Sequence, residues 1–293
     1  MNKKILFWCL TDKCNLACKY CYYNEGLESK TFTMWNTKDA LSTIPNISKH
    51  FTHIYLTGGE PLLFEDIALI IKELKQAGLN ITLLTNGVLL DKQITQKMIK
   101  NGLDKIIISL DSLNKTTNDC QRGLSEIIMT NLEDILSYSQ KISIQISVTI
   151  TKKNLDDIED LITYAKKYNI ELWLNTVDTN NNELGLKSLD ESQRKKLDFL
   201  LKKWNKVFCN NELTGYCNFI NELIDDKIIS TYCPMGRKHF VLDVNGEIYP
   251  CFLQKKKITN IMNDKDWEEK IKITDHRSQI KCAKLGCLCL TCL

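Results

Sequence analysis

No apolar run in the 293 residues approaches the roughly 18 that a membrane-crossing helix needs. The opening stretch MNKKILFWCLTDKC has an apolar segment too short for a secretion signal and reaches Asp12 at once. A cytoplasmic protein without a membrane partner is therefore expected. Charge of one sign is also lacking, since the net charge is +3 and the longest basic run is KKK at 255–257. The electrostatic footprint of a nucleic-acid partner is thus missing. Without a secretion signal, thirteen cysteines point to metal or redox chemistry rather than to a disulfide framework. One further absence is local. Cys14, Cys18 and Cys21 crowd into KCNLACKYCYY, and no fourth cysteine follows until Cys120.

What is present is a repeating unit of a short apolar run followed by an amphipathic stretch. The runs are 5–10, 53–57, 81–85, 105–110, 142–150 and 170–175. Each has strand length, is rich in β-branched and aromatic residues and reads as apolar on both faces or nearly so, as a parallel strand under helices should. Helical patterns fill most of the gaps, over 65–77 and 92–100, each stopped by a glycine, and over 125–138 and 154–168. Six such alternations predict an α/β fold, an open (βα)6 TIM-like barrel short of the eight units that close. At 293 residues the chain also has room for a small appendage.

Chemistry in such barrels gathers in the loops after the strands' C-terminal ends. Here those loops hold the three cysteines, then GGEP (58–61), TNG (85–87), and SLDS (109–112) leading to QRG (121–123). Soft thiolates select zinc or iron–sulfur clusters. A structural zinc wants a fourth ligand close by, and none is local, whereas a four-iron cluster held by three thiolates keeps one iron open. Buried structural thiols, or a zinc completed from afar, are the alternatives that spacing leaves standing.

The Cys-x3-Cys-x2-Cys pattern with Tyr20 before its last cysteine, followed by GGEP after the second strand, resembles the radical S-adenosylmethionine superfamily over about residues 5–177. The resemblance implies a 4Fe-4S cluster on Cys14, Cys18 and Cys21 whose open iron chelates S-adenosylmethionine. Reductive cleavage would give methionine and a 5′-deoxyadenosyl radical that takes a hydrogen atom from substrate. It further implies that Gly58, Gly59 and Glu60 receive the methionine amine, Glu60 supplying charge and the glycines letting backbone carbonyls approach. Thr85, Asn86, Ser109 and Asp111 suit ribose hydroxyls or a carboxylate, with capping and turn formation as the plainer reading. Arg122 would fork onto the methionine carboxylate, and Tyr20 would meet the adenine edge.

After a polar stretch at 178–185, the chain reads as helical over 189–207 and 217–229. Then comes CPMGRKHFVLDVNGEIYPC, where Asn245-Gly246 predicts a two-residue hairpin between Cys233 and Cys251. With the terminal CAKLGCLCLTCL this resembles the SPASM and Twitch extensions of the superfamily. The resemblance implies domains at 1–178, 179–230 and 231–293, with an auxiliary 4Fe-4S cluster on Cys233, Cys251, Cys289 and Cys292. Cys282 and Cys287 are spare, and the tail lacks the full SPASM cysteine pattern; a zinc knuckle is the alternative there. If this cluster takes an electron from substrate, the hairpin is expected to fold over the barrel mouth. Cys9, Cys120, Cys209 and Cys217 read as buried apolar thiols.

By the same resemblance the substrate is a peptide or a small molecule, and a low-potential carrier such as flavodoxin or ferredoxin supplies the electron. Peptide modification is the leading reading. A Twitch-type metabolite dehydrogenase and a non-catalytic iron–sulfur or zinc protein are the alternatives, the last disfavoured by GGEP. A first strand at residue 5 leaves no expected room for an N-terminal leader-binding domain. Phe252 stands where an acidic base would follow the hairpin cysteine.

Overall fold

The computed structural model describes residues 4–21, 32–176, 184–210, 212, 217, 220, 235–252 and 256–272. Six parallel strands lie side by side in chain order: β1 (Ile5–Thr11), β2 (His53–Gly58), β3 (Asn80–Thr85), β4 (Lys105–Ser109), β5 (Ser143–Ile150) and β6 (Glu171–Thr176). Between them run α1 (Thr37–His50), α2 (Ile67–Gln76), α3 (Lys92–Lys100), α4 (Lys115–Gln121), α5 (Ser125–Leu136) and α6 (Ile158–Tyr168), and α7 (Glu191–Cys209) follows β6. This is the expected α/β architecture, a parallel-rich open sheet with helices between its strands. Side-chain caps start several helices as their sequences dictate: Asn36 accepts from Lys38 N–H, Asp91 from Ile94 N–H, and Asp190 forms a capping box with Gln193.

Helix α7 covers the free edge of β6. The Trp204 indole donates to the Leu172 carbonyl at 2.7 Å and its ring stands edge-on to Trp173, 5.2 Å between centroids, so that an edge carbonyl is satisfied without another strand.

The two faces of the sheet differ, contrary to the expectation that the strands are apolar on both. Ile108 and Ile128 of α5 both lie against Gly87, which assigns Ile106 and Ile108 to the helix side. The parallel register then carries Ile144, Ile146, Val148, Leu172 and Leu174 with them. The inner face receives Ser109, Gln145, Ser147, Thr149 and Asn175, with Lys105 and Glu171 at the lower end. Ser-Ile-Gln-Ile-Ser-Val-Thr-Ile in β5 is therefore a strict alternation.

The hairpin is a continuation of this sheet. Strand β7 (His239–Leu242) pairs parallel with β1, β8 (Glu247–Tyr249) returns antiparallel, and β9 (Thr259–Asn260) and α8 (Trp267–Lys272) follow. Its loop has three residues where two were expected. Asp243 and Glu247 close it through a backbone bond of 2.9 Å, the Asp243 side chain accepts from the N–H groups of Asn245 and Glu247, and Gly246 takes φ +77°. The expectation that the hairpin folds over the barrel mouth is overturned by the register. Val241 faces both Phe7 and Tyr249, so Cys251, two residues further, lies toward the Ile5 end of β1. The three-cysteine loop leaves the opposite end, about 20 Å away along the strand. Cys233, Cys282, Cys287, Cys289 and Cys292, and most of the helix expected at 217–229, lie outside the described residues.

Candidate functional site

The loop after β1 is held by close backbone contacts with the GGEP turn. Gly59 N–H donates to the Thr11 carbonyl at 2.7 Å and Glu60 N–H to the Lys13 carbonyl at 2.8 Å. A Cβ on Gly58 would sit 2.1 Å from Thr11 O, and one on Gly59 would sit 2.2 Å from Lys13 O. The glycines were expected to let carbonyls approach an ammonium; what the structure presses against them is the backbone of the cysteine loop itself.

Glu60 also departs from its expected place. It is fully buried; Oε1 accepts from Thr85 Oγ1 at 2.7 Å and Leu62 N–H at 3.1 Å, and Oε2 accepts from Asn86 N–H at 2.8 Å. Burial pushes its carboxyl up to about 7, against the lowering pull of those donors. Its carboxylate is a brace joining the β2 and β3 exits. Asn86 carries the brace onward: Nδ2 donates to Asn15 Oδ1 at 2.7 Å and faces Cys14 Sγ at 3.8 Å, while Leu16 N–H points to the same sulfur at 3.5 Å.

On the other flank Asp111 is fully buried and Arg122 grips it with both Nε, 2.8 Å, and Nη2, 3.1 Å. Thr149 N–H donates to the same carboxylate at 2.8 Å, as does the Tyr20 hydroxyl. The Arg122 fork, expected on the methionine carboxylate, grips Asp111 instead, and Asp111, read as suited to ribose hydroxyls or a carboxylate, closes an internal cluster. Arg122 Nη1 remains 4.0 Å from Cys18 Sγ, and its guanidinium lies 5.2 Å over the Tyr20 ring. Tyr20, expected against adenine, gives its hydroxyl to Asp111. Burial raises the thiols of Cys14 and Cys18, the latter to about 11 even with Arg122 pulling it down.

Cys14, Cys18 and Cys21 are half-buried and lie within electrostatic reach of one another. Among the described residues no three His, Cys, Asp or Glu side chains converge closely enough for a single metal ion. The loop does offer soft sulfur ligands with N–H donors turned toward two of them: Leu16 and Asn86 at Cys14, Arg122 at Cys18. That donor set fits a cluster with anionic sulfurs, whose properties such N–H groups tune.

Thr85 and Asn86 are both drawn into this frame. Ser109 stands apart, half-buried beside Ser147 on the inner face. Cys9 and Cys217 are buried as expected and Cys209 is half-buried, but Cys120 is exposed, with Lys19 Nζ 3.7 Å from its sulfur. The inner-face polar residues of β5 and β6 were not foreseen. Their signal was the alternation in β5, masked by reading the run for its overall apolarity.

An open α/β barrel with polar loops at its C-terminal strand ends defines a class of enzyme scaffold. The model of the radical SAM superfamily matches residues 8–165, more than half of the chain, which therefore belongs to that superfamily. Its cofactors are S-adenosylmethionine and a 4Fe-4S cluster. AdoMet-dependent heme synthase of Methanosarcina barkeri is 30% identical over 53% of this chain and 45% of its own length. Mycofactocin maturase MftC of Mycolicibacterium smegmatis is 25% identical, over 84% of this chain and 63% of its own. A probable GTP 3′,8-cyclase of Methanococcus vannielii is 26% identical over 90% and 89%. The chain thus spans less than two thirds of several curated relatives it matches. Among solved structures, Streptococcus suis SuiB bound to precursor peptide SuiA superposes with a TM-score of 0.69 at 16% identity, covering 97% of this chain and 70% of that one. No helix of the described residues is long and apolar enough to cross a membrane.

Proposed function

We propose that this chain is a radical SAM enzyme that abstracts a hydrogen atom from a peptide, with Cys14, Cys18 and Cys21 holding the 4Fe-4S cluster. The observation that carries the cluster assignment is the donor set of the β1 loop, three thiols with N–H groups turned to two of them, on a frame braced by Glu60 and Asp111. When bound, the cluster and S-adenosylmethionine supply one-electron reductive cleavage to methionine and a 5′-deoxyadenosyl radical. The chain's own work is then positional. Gly58 and Gly59 admit the loop, Glu60 and Asn86 fix its first cysteine, and Arg122 offers positive charge to its second.

For the peptide reading, the support is that SuiB, which shares the fold, is solved with a precursor peptide. The GTP cyclase and heme synthase relatives support a small-molecule alternative. We also propose that residues 231–293 form a Twitch-like extension carrying an auxiliary cluster on Cys233, Cys251, Cys289 and Cys292, and that a flavodoxin- or ferredoxin-type carrier is the reductant. The test is anaerobic reconstitution followed by dithionite and S-adenosylmethionine. Iron of about eight per chain, four per cluster, and slow release of 5′-deoxyadenosine are expected. A Cys14, Cys18, Cys21 triple alanine variant should lose about half of that iron; an unchanged count would overturn the assignment.

A further inference from the structure

Below the cysteine loop, the inner face of the sheet stays accessible on β2, β3 and β4. The side chains these strands turn to the helices, Leu56, Leu83, Ile106 and Ile108, are all buried. Thr57, Leu84 and Ser109, turned the other way, are only half-buried. The register brings them together. Leu56 pairs with Leu83 and Leu84 with Ile107, so Thr57 adjoins Leu84, and Ser109 stands one inner position above Ile107. Beneath them the face is closed by an aromatic floor. Phe7 stacks on Tyr55 at 4.9 Å and Tyr55 on His53 at 4.7 Å, while Phe252 and His239 stand edge-on to Phe7 at 5.2 Å and 6.3 Å. Above, Leu84 comes two residues before Asn86, whose Nδ2 lies 3.8 Å from Cys14 Sγ. From Asn86 down to Thr82, which pairs with Tyr55 at floor level, the chain spans about 13 Å. The accessible wall is thus a single residue layer between the cysteine loop and the floor.

We infer that Leu84, flanked by Thr57 and Ser109, is a specificity-determining contact for the substrate, and that the group it receives is an uncharged, largely apolar side chain of the peptide. This rests on the proposed function and names the substrate chemistry of the same site. Ile107 lies beside Leu84 in the register, and Trp173 lies beside Ser147, the partner of Ser109. The wall therefore offers apolar surface edged by hydroxyls, with no carboxylate, ammonium or guanidinium among these six residues. The charged side chains described near it are committed to other partners. Lys105 Nζ meets Glu171 at 2.5 Å at the lower end, and Arg122 grips Asp111 at the upper. Glu60 is held by Leu62, Thr85 and Asn86. A charged group brought to this wall would shed water without meeting a counter-charge, and a triphosphate would find none of the cationic forks it calls for. An apolar side chain gains there by the area it removes from water. A wall one residue deep suits a single side chain, and Leu84 sets that side chain beneath the three-cysteine loop.

The experiment is affinity selection by ultrafiltration with detection by mass spectrometry. The reconstituted full chain and S-adenosylmethionine are mixed with N-acetylated, C-amidated alanine pentapeptides whose central residue is leucine, phenylalanine, lysine or glutamate, together with GTP. Wild type should retain the leucine and phenylalanine peptides about tenfold more than the lysine and glutamate peptides, the worth of burying one apolar side chain, and should retain no GTP. Leu84→Asp should lose that preference and retain the lysine peptide best, since the new carboxylate supplies the missing counter-charge. Ser109→Asp, on the neighbouring strand, should shift the preference in the same direction and decides the matter where circular dichroism shows that Leu84→Asp does not fold. If Leu84 serves the cofactor instead, Leu84→Asp will lower retention of S-adenosylmethionine as much as that of the leucine peptide, and this would overturn the substrate role. Equal retention of the four peptides by wild type, no retained peptide, preferential retention of GTP, or an unaltered preference in a folded aspartate variant would each overturn it as well. Release of 5′-deoxyadenosine with dithionite is measured on the same wild-type preparation, so failure of the proposed function is seen separately.

Discussion

Glu60 shows how a residue type can be legible while its task is not. The sequence points to a carboxylate after Gly58-Gly59, but only the folded loops reveal three donors converging on it from Leu62, Thr85 and Asn86. If it braces the loops, Glu60→Gln turns an NH2 toward at least one of those donors. The variant should lose about 1–3 kcal/mol of stability, read by chemical denaturation. A variant with unchanged stability but weakened S-adenosylmethionine binding would instead restore the direct role for its charge. Gly59→Ala places a methyl 2.2 Å from Lys13 O. It should cost about 1–3 kcal/mol through forced backbone movement and lower the iron bound on reconstitution, which a colorimetric iron assay would check. At the buried Arg122–Asp111 pair, Arg122→Met strands a carboxylate with no exposure. A loss of about 3–5 kcal/mol is expected, and a denaturation midpoint equal to wild type would contradict it.

Among the elements, strands were the most legible because each is a short run rich in aliphatic, β-branched or aromatic residues. All six stand within a residue or two of their expected limits. Helix α3 matches its expected limits at both ends, since Asp91 caps its start and Gly102, at φ +95°, follows its end. Helix α1 escaped notice because Pro45 interrupts its pattern. Pro45 removes one backbone donor and crowds the carbonyl of Leu41. Pro45→Ala should therefore raise stability by about 2 kcal/mol, the interior proline penalty less the entropy the ring removes from the unfolded chain. Differential scanning calorimetry showing no rise in melting temperature would refute that reading. Short α4 was also missed. It matters because it delivers Gln121, whose carbonyl accepts from Lys19 N–H at 3.0 Å, and Arg122 to the cysteine loop.

For the whole molecule, the sheet order has a functional consequence. With β7 beside β1, Cys251 lies near the lower end of the inner face, where Phe252 packs edge-on against Phe7 at 5.2 Å. The proposed second cluster would then face the lower end of the barrel, and the three-cysteine loop the upper. Cys251→Ala should lower bound iron toward four per chain and abolish product. It should leave release of 5′-deoxyadenosine in place, because the braces named for the upper loop come from the ends of β2 to β5 and from α4. Loss of that release in the variant would show that the two ends are interdependent. The sequence by itself determined the class of fold, the three-cysteine loop and the family, because strand composition, glycine placement and cysteine spacing are local properties of the chain. Tertiary structure alone decided what Glu60, Asp111, Tyr20 and Arg122 touch, and that one polar face turns inward. It also put the hairpin at the edge of β1, since hydrogen-bond partners and sheet order join residues far apart in the chain, and no local pattern specifies which distant donor meets which acceptor.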